Sequence, residues 1–120
     1  MVLVDTSVWV DHFRKPSKGL SQLLAETHVG IHPFVVGELA CGCMPRRREV
    51  LALLHALPEV SVATQSELLH FIEQNSLAGT GIGFVDAHLL ASAELMGASL
   101  WTIDKILGRV ADRLNLVYSG

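Results

Sequence analysis

The chain has 120 residues, of which 50% are apolar and 18% charged, with a net charge of −3. That is ample for one packed core and excludes a disordered chain. No apolar run reaches the roughly 18 residues a membrane helix needs. The opening MVLVDTSVWVDHF lacks the charged region and cleavage site of a secretory signal. The expectation is a cytoplasmic protein with no membrane segment, residues 1–120 forming a single domain.

The elements alternate along the chain. Val2 to Val4 reads as a buried strand. Thr6 or Ser7 can cap a short helix through about Phe13, and Pro16 and Gly19 break it. Leu20, Leu23 and Leu24 have helical spacing, and Val29 to His32 reads as a second short strand. Pro33 suits the first turn of the next helix, where its missing N–H does no harm; that helix runs to about Cys43. Pro45 opens another, with Val50, Leu51, Leu54 and Leu57 as its apolar stripe, and Pro58 ends it. Val60 to Ala63 is a strand or an extended linker. Thr64 or Ser66 can cap a helix through about Asn75. Gly79, Gly81 and Gly83 form a loop. Phe84 to Met96, closed by Gly97, is the clearest helix. Ser99 to Ile103 is a strand, Lys105 to Leu114 is helical, and Leu116 to Tyr118 adds an edge strand. Strands alternating with helices imply an α/β fold with a mainly parallel sheet covered on both faces.

Cys41 and Cys43 form a C-x-C pair, which is no recognised disulfide or zinc frame. They read as two small buried thiols on a helix. The acidic net charge counts mildly against a nucleic-acid partner. All nine basic residues, however, fall into three clusters: Arg14, Lys15 and Lys18; Arg46, Arg47 and Arg48; Lys105, Arg109 and Arg113. The last three are four apart and line one helix face, a candidate RNA-binding stripe. Leu51 to Asp104 contains no Lys or Arg. An acidic middle framed by basic patches suits a metal site that binds a polyanion, whereas solvated surface charge is the plainer reading of each cluster.

Four carboxylates stand out. Asp5 and Asp104 each directly follow a strand. Ligands of parallel sheets bind at the carboxyl ends of the strands, so both acids can share one sheet edge. Either could instead only cap a helix. Glu38 sits among Phe34, Val35, Cys41 and Gly42, an apolar setting for a charge that then needs a partner or a metal; the alternative is an edge glutamate. Asp86 is the only acid in an apolar first turn, where favouring the helix dipole is its plain role. Carboxylates crowded together repel and cannot all ionise alone. Mg²⁺ or Mn²⁺ removes that conflict, takes oxygen ligands and can activate water against a phosphodiester.

Thr6, Ser7 and Thr102 lie beside the strand-end aspartates, where their hydroxyls can orient a carboxylate, hold a metal-bound water or cap helices. His88 is two residues from Asp86, about 200° around an ideal helix, and reads as a packing or surface residue. Asp11, Glu67, Glu73, Glu94 and Asp112 read as surface acids, with support of the site acids the alternative for Asp11 and Glu94. The Gly79–Gly83 loop follows a helix and lacks a Lys-Ser/Thr, so it is no phosphate loop.

At these residues the sequence resembles the PIN-domain family, especially the VapC-like toxins of bacterial toxin–antitoxin pairs. Val2-Leu3-Val4-Asp5-Thr6-Ser7-Val8-Trp9 resembles the family's first motif and Val36-Gly37-Glu38-Leu39 its second. Phe84-Val85-Asp86-Ala87-His88-Leu89-Leu90-Ala91 resembles the third, and Leu100-Trp101-Thr102-Ile103-Asp104-Lys105 the fourth. Each motif alone is weak, but four in order across nearly the whole chain are specific. The resemblance implies a three-layer α/β/α sandwich around a short parallel sheet. It implies Asp5, Glu38, Asp86 and Asp104 as catalytic and metal-holding residues of a Mg²⁺- or Mn²⁺-dependent endoribonuclease. It also implies a homodimer neutralised by a small VapB-like antitoxin, which typically lays a peptide or helix in the toxin's groove. Many relatives carry a further acid or a Phe shortly after the last motif; here Lys105-Ile106-Leu107 follows Asp104.

Two rival readings come from other classes. A phosphoacceptor receiver domain has similar length and an acidic pocket, but needs an Asp after its central strand. Residues 46 to 66 offer only Glu49 and Glu59, neither after a strand. A noncatalytic binding module could keep the fold as a scaffold, against which the intact acids argue.

Overall fold

A computed structural model describes all residues, Met1–Gly120. Three short parallel strands form the sheet: β1 (Val2–Val4), β2 (Val29–Gly30) and β3 (Ser99–Trp101), in the order β2-β1-β3. Two single bridges extend both edges. Ile31 pairs with Glu59, and Leu100 with Val117, both parallel. The segments expected near Val60 and Leu116 thus join the sheet, but only by one bridge each. β1, in the centre, is wholly buried, as strands covered on both faces must be.

Seven helices surround the sheet: α1 (Thr6–Arg14), α2 (Lys18–Ala25), α3 (Pro33–Cys41), α4 (Arg47–Ala56), α5 (Gln65–Gln74), α6 (Phe84–Met96) and α7 (Lys105–Arg113). α1 packs on α3 and α3 on α4, while α5 packs on α6 and α6 on β3. The α/β sandwich expected from the alternating pattern is therefore present. One core joins Leu3, Val4, Trp9, Leu20, Val35, Leu54, Leu89, Leu100 and Leu107. A smaller one, Ala63, Leu68, Ala87 and Ala91, lies between α5 and α6. No helix is long and apolar enough to cross a membrane.

Helix ends follow local chemistry. Thr64 and Glu67 form a capping box at the start of α5. Gly97 closes α6 at φ 64, a left-handed geometry that costs glycine little. Residues Ala87 to Ala93 of α6 are all buried, including Ser92, whose hydroxyl donates to the Ser61 carbonyl at 2.7 Å. A helix apolar all round is an interior helix. Its two ends are left at the surface, and the first carries Asp86.

Some expectations need correction. α4 begins at Arg47, two residues after Pro45, because Arg46 adopts a left-handed conformation at φ 46. Cys41 and Cys43 are both exposed rather than buried. The inward positions of α3 are Val35 and Leu39 instead, so Cys41 falls on the outer face and Cys43 beyond the helix end.

Candidate active site

The sheet register places the first acid. Val4 pairs with Trp101, so Asp5 and Thr102 leave the sheet side by side, and the Asp5 N–H donates to the Trp101 carbonyl at 2.9 Å. Asp5 is 6% exposed. A buried carboxylate needs donors, and it has two. The hydroxyls of Ser7 and Thr102 each donate to Oδ2 at 2.7 Å. Both oxygens also accept: Ser7 from the Ile103 N–H at 3.3 Å, Thr102 from the Asp104 N–H at 3.0 Å. Asp5 occupies the N-cap position of α1 without capping it. The capping role expected of Thr6 or Ser7 is likewise absent, because their hydroxyls go to carboxylates.

Asp104 does cap a helix. Its Oδ1 accepts from the Ile106 and Leu107 N–H groups at 2.9 and 3.0 Å, leaving Oδ2 free. Asp86 is in the first turn of α6, where its Oδ2 accepts from the Gly83 N–H at 3.1 Å. For both acids the plain reading and the site reading are compatible, because the cap uses one carboxylate oxygen and leaves the other.

Glu38 is exposed, not held in an apolar interior. Of the neighbours three and four away only Val35 is buried; Cys41 and Gly42 are exposed, so Glu38 lies at the edge of the core rather than inside it. Its partner is the Thr6 hydroxyl, which donates to Oε1 at 2.6 Å and ties α3 to the first turn of α1.

Electrostatics joins the four acids. Burial raises the Asp86 pKa, the Gly83 N–H opposes it, and the charges of Asp5, Asp104 and Glu38 raise it further. Asp86 thus lies within the fields of all three others. No three acids or imidazoles stand at the mutual spacing of a closed metal shell. The donor set is all oxygen and anionic, which is the chemistry that hard divalent cations take.

The basic stripe of α7 divides. Lys105 begins α7 beside Asp104, whereas Arg113 lies about 12 Å further along the helix axis. Arg113 donates to the Asn75 carbonyl at 2.8 Å, at the C-terminal end of α5. Arg47 does the same at the end of α3, donating to the Ala40 carbonyl at 2.6 Å. These two cations satisfy helix C-termini, a role the sequence reading missed. Arg46 makes an exposed pair with Glu49 at 3.5 Å, of little energetic weight.

His88 is a packing residue, buried against Phe34 and Phe84 with its Nδ1 unpartnered. The buried His32 lies 6.0 Å away between ring centroids. Its Nδ1 accepts from the Phe34 N–H at 3.0 Å. Burial, with a smaller contribution from His88, lowers its pKa to about 4. A groove of about 380 Å³ opens beside Glu38, lined among others by Val10, Phe13, Arg14, Leu39 and Cys43. The other three acids do not line it.

A PIN domain family model matches residues 2–113. Ribonuclease VapC32 of Mycobacterium tuberculosis, in two strains, is 46% identical over 108 residues, covering 89% of this chain and 87% of that protein. Among solved structures, PAE2754 from Pyrobaculum aerophilum superposes with a TM-score of 0.67 at 16% identity, covering 91% of this chain and 83% of that one. FitAcB from Neisseria gonorrhoeae gives 0.65 at 18% identity, covering 93% and 94%. These last two likenesses concern the fold.

Proposed function

The chain belongs to the PIN domain family, and from that premise we propose that it is a VapC-like endoribonuclease, the toxin of a toxin–antitoxin pair. The observation that supports the catalytic reading is the pairing of Val4 with Trp101, which brings Asp5 beside the Thr102–Asp104 turn, with the charges of Asp5, Asp104 and Glu38 each adding to the raised pKa of Asp86. Four carboxylates sharing one field favour a divalent cation over any other occupant. The chain lacks the Asp after a central strand that a receiver domain needs.

In this reading Asp5, Glu38, Asp86 and Asp104 hold Mg²⁺ or Mn²⁺. When bound, the ion supplies water activation and charge neutralisation at the phosphodiester. The protein's own part is positioning. Ser7 and Thr102 fix Asp5 through Oδ2, which leaves Oδ1 without a side-chain donor. Thr6 fixes Glu38, and the helix amides fix Asp104 through Oδ1. Such preorganisation spares the reorganisation that loose carboxylates would need. In the same reading Lys105 and Arg109 meet the RNA backbone, with Arg113 at the far end of the same helix.

One PIN-like domain over residues 1–120 carries all of this. The proposed setting is the cytoplasm. The proposed partners are RNA, a second copy in a homodimer, and a small VapB-like antitoxin. The groove beside Glu38, lined by Val10, Phe13, Leu39 and Pro45 together with Arg14 and Glu38, is the proposed seat of an antitoxin segment.

The test is to incubate the purified protein with structured and single-stranded RNAs, with Mg²⁺, with Mn²⁺, and with a chelator. Cleavage should require the ion and should vanish in Asp5→Ala. Chelator-resistant cleavage, or full activity of that variant, would sink the mechanism.

A further inference from the structure

Another pocket, of about 290 Å³, opens between the C-terminal half of α1, the bend at Pro16 and the start of α4. Its walls include three residues with hydrogen-bond donors and no acid. Trp9 is fully buried, and its indole N–H has no partner. A buried indole N–H ordinarily finds an acceptor, and leaving it without one is costly. His12 is the second donor. Its Nδ1 accepts the Ser17 N–H at 2.9 Å, and burial lowers its pKa, so the ring is neutral and carries its proton on Nε2. Arg46 is the third. Its backbone is left-handed at φ 46, a conformation that non-glycine residues hold at a cost. Its one charged partner is Glu49, at 3.5 Å in solvent and outside the pocket walls.

The rest of the wall is apolar: Phe13, Pro16, Pro45, Val50 and Leu53. A ligand that fits must accept hydrogen bonds, suit a cation and carry an apolar body. We infer that this pocket binds a small organic acid, its carboxylate taken by the Trp9, His12 and Arg46 donors and its hydrocarbon part held against the two prolines and Leu53. An arginine and a carboxylate form charge-assisted hydrogen bonds, stronger than neutral ones. The volume is close to the ~300 Å³ at which small-molecule sites begin, which suits one ring or a short chain. A phosphodiester would set its charge against a mostly apolar wall, at a cost in desolvation. The pocket stands apart from the nuclease site, because none of Asp5, Glu38, Asp86 and Asp104 lines it.

The experiment uses the full chain labelled with ¹⁵N, and phenylacetate as the probe. The chain has two tryptophans, so its spectrum holds two indole N–H signals, and Trp9→Phe assigns them. Millimolar phenylacetate should shift the Trp9 signal to saturation and leave that of Trp101 in place. Phenylacetamide, which has the same shape without the charge, should bind about tenfold more weakly. Arg46→Gln should weaken phenylacetate by a similar factor and leave the melting temperature unchanged, since Arg46 is exposed. Trp9→Phe keeps a ring, removes the donor and should also weaken binding; where that core variant fails to fold, Arg46→Gln decides. No saturable shift overturns the site and leaves the indole N–H to water. Equal affinity for the acid and its amide overturns the assignment of an anion. Binding of acetyl-Phe-Asp-amide without binding of phenylacetate makes the ligand a peptide carboxylate and overturns the small acid. Displacement of phenylacetate by RNA in chelator places the pocket on the RNA path and overturns it too. None of these readouts depends on RNA being cut.

Discussion

The Thr102 hydroxyl donates to Oδ2 of Asp5 at 2.7 Å across a sequence separation of 97 residues, and accepts the Asp104 N–H at 3.0 Å. One oxygen thereby sets the distance between two of the acids. Thr102→Val keeps the shape but leaves a buried carboxylate with one donor fewer. It should cost about 1–2 kcal/mol of stability and weaken Mn²⁺ binding, while Thr102→Ser restores both. Denaturant melts and metal titration check this; equal affinities in the valine and serine variants would refute the positioning role.

Asp86 links metal to stability. Its folded pKa is raised above the usual 3.8. The fold therefore prefers the neutral form, and the associated stability is present below pH 3.8 and lost as pH rises through the raised value. At neutral pH without metal, Asp86→Asn should melt higher than the wild type, and the difference should fade in acid. Adding Mg²⁺ or Mn²⁺ should then stabilise the wild type more than the variant. Thermal melts over a pH series, with and without ion, read both effects.

His32 works in the opposite direction. Its pKa falls from 6.5 to about 4. A depressed folded pKa means stability present above pH 6.5 and lost as pH falls towards 4. His32→Asn can still accept the Phe34 N–H at the helix start and does not titrate. The wild type should lose more stability than this variant between those pH values. Parallel acid profiles would show that His32 does not contribute.

The two arginines of α7 should behave differently. Arg113→Ala removes the bond to the Asn75 carbonyl and should cost about 1 kcal/mol. Arg109 has no protein partner, so Arg109→Glu should leave stability nearly unchanged. It should lower the slope of log affinity against log salt by about one. An unchanged slope would remove Arg109 from the RNA path.

Both thiols should react with Ellman's reagent in the native protein at rates close to those of the unfolded chain, since Cys41 and Cys43 are exposed. Protection of either in the free protein would contradict the placement of the α3 end.

Much of the fold is legible because period and capping are local. Phe84–Met96 begins and ends where its apolar run and Gly97 say it should, and Thr64 caps α5 as its spacing with Glu67 suggests. Asp5 and Asp104 are visible as site candidates because each follows a strand. The failures share a cause. Cys41, Cys43 and Glu38 were read from their neighbours along the chain, but burial is decided by which side of α3 meets α1 and α4. Arg47 and Arg113 looked like free charge, yet each closes the end of another helix, a partner no short spacing reveals.

By itself the sequence determined the order of strands and helices, the four motif acids and their place at strand ends or first turns, because these depend on residues a few positions apart. Only the tertiary structure decided how each acid is held. Which oxygen of Asp5 is occupied, that Thr6 reaches Glu38, and that Asp86 feels three other charges all depend on the register of β1 with β3 and the packing of α1 on α3. Hydrogen bonds and fields act over a few ångströms of space, and the chain brings residues as far apart as 5 and 102 within that range only once the sheet has formed.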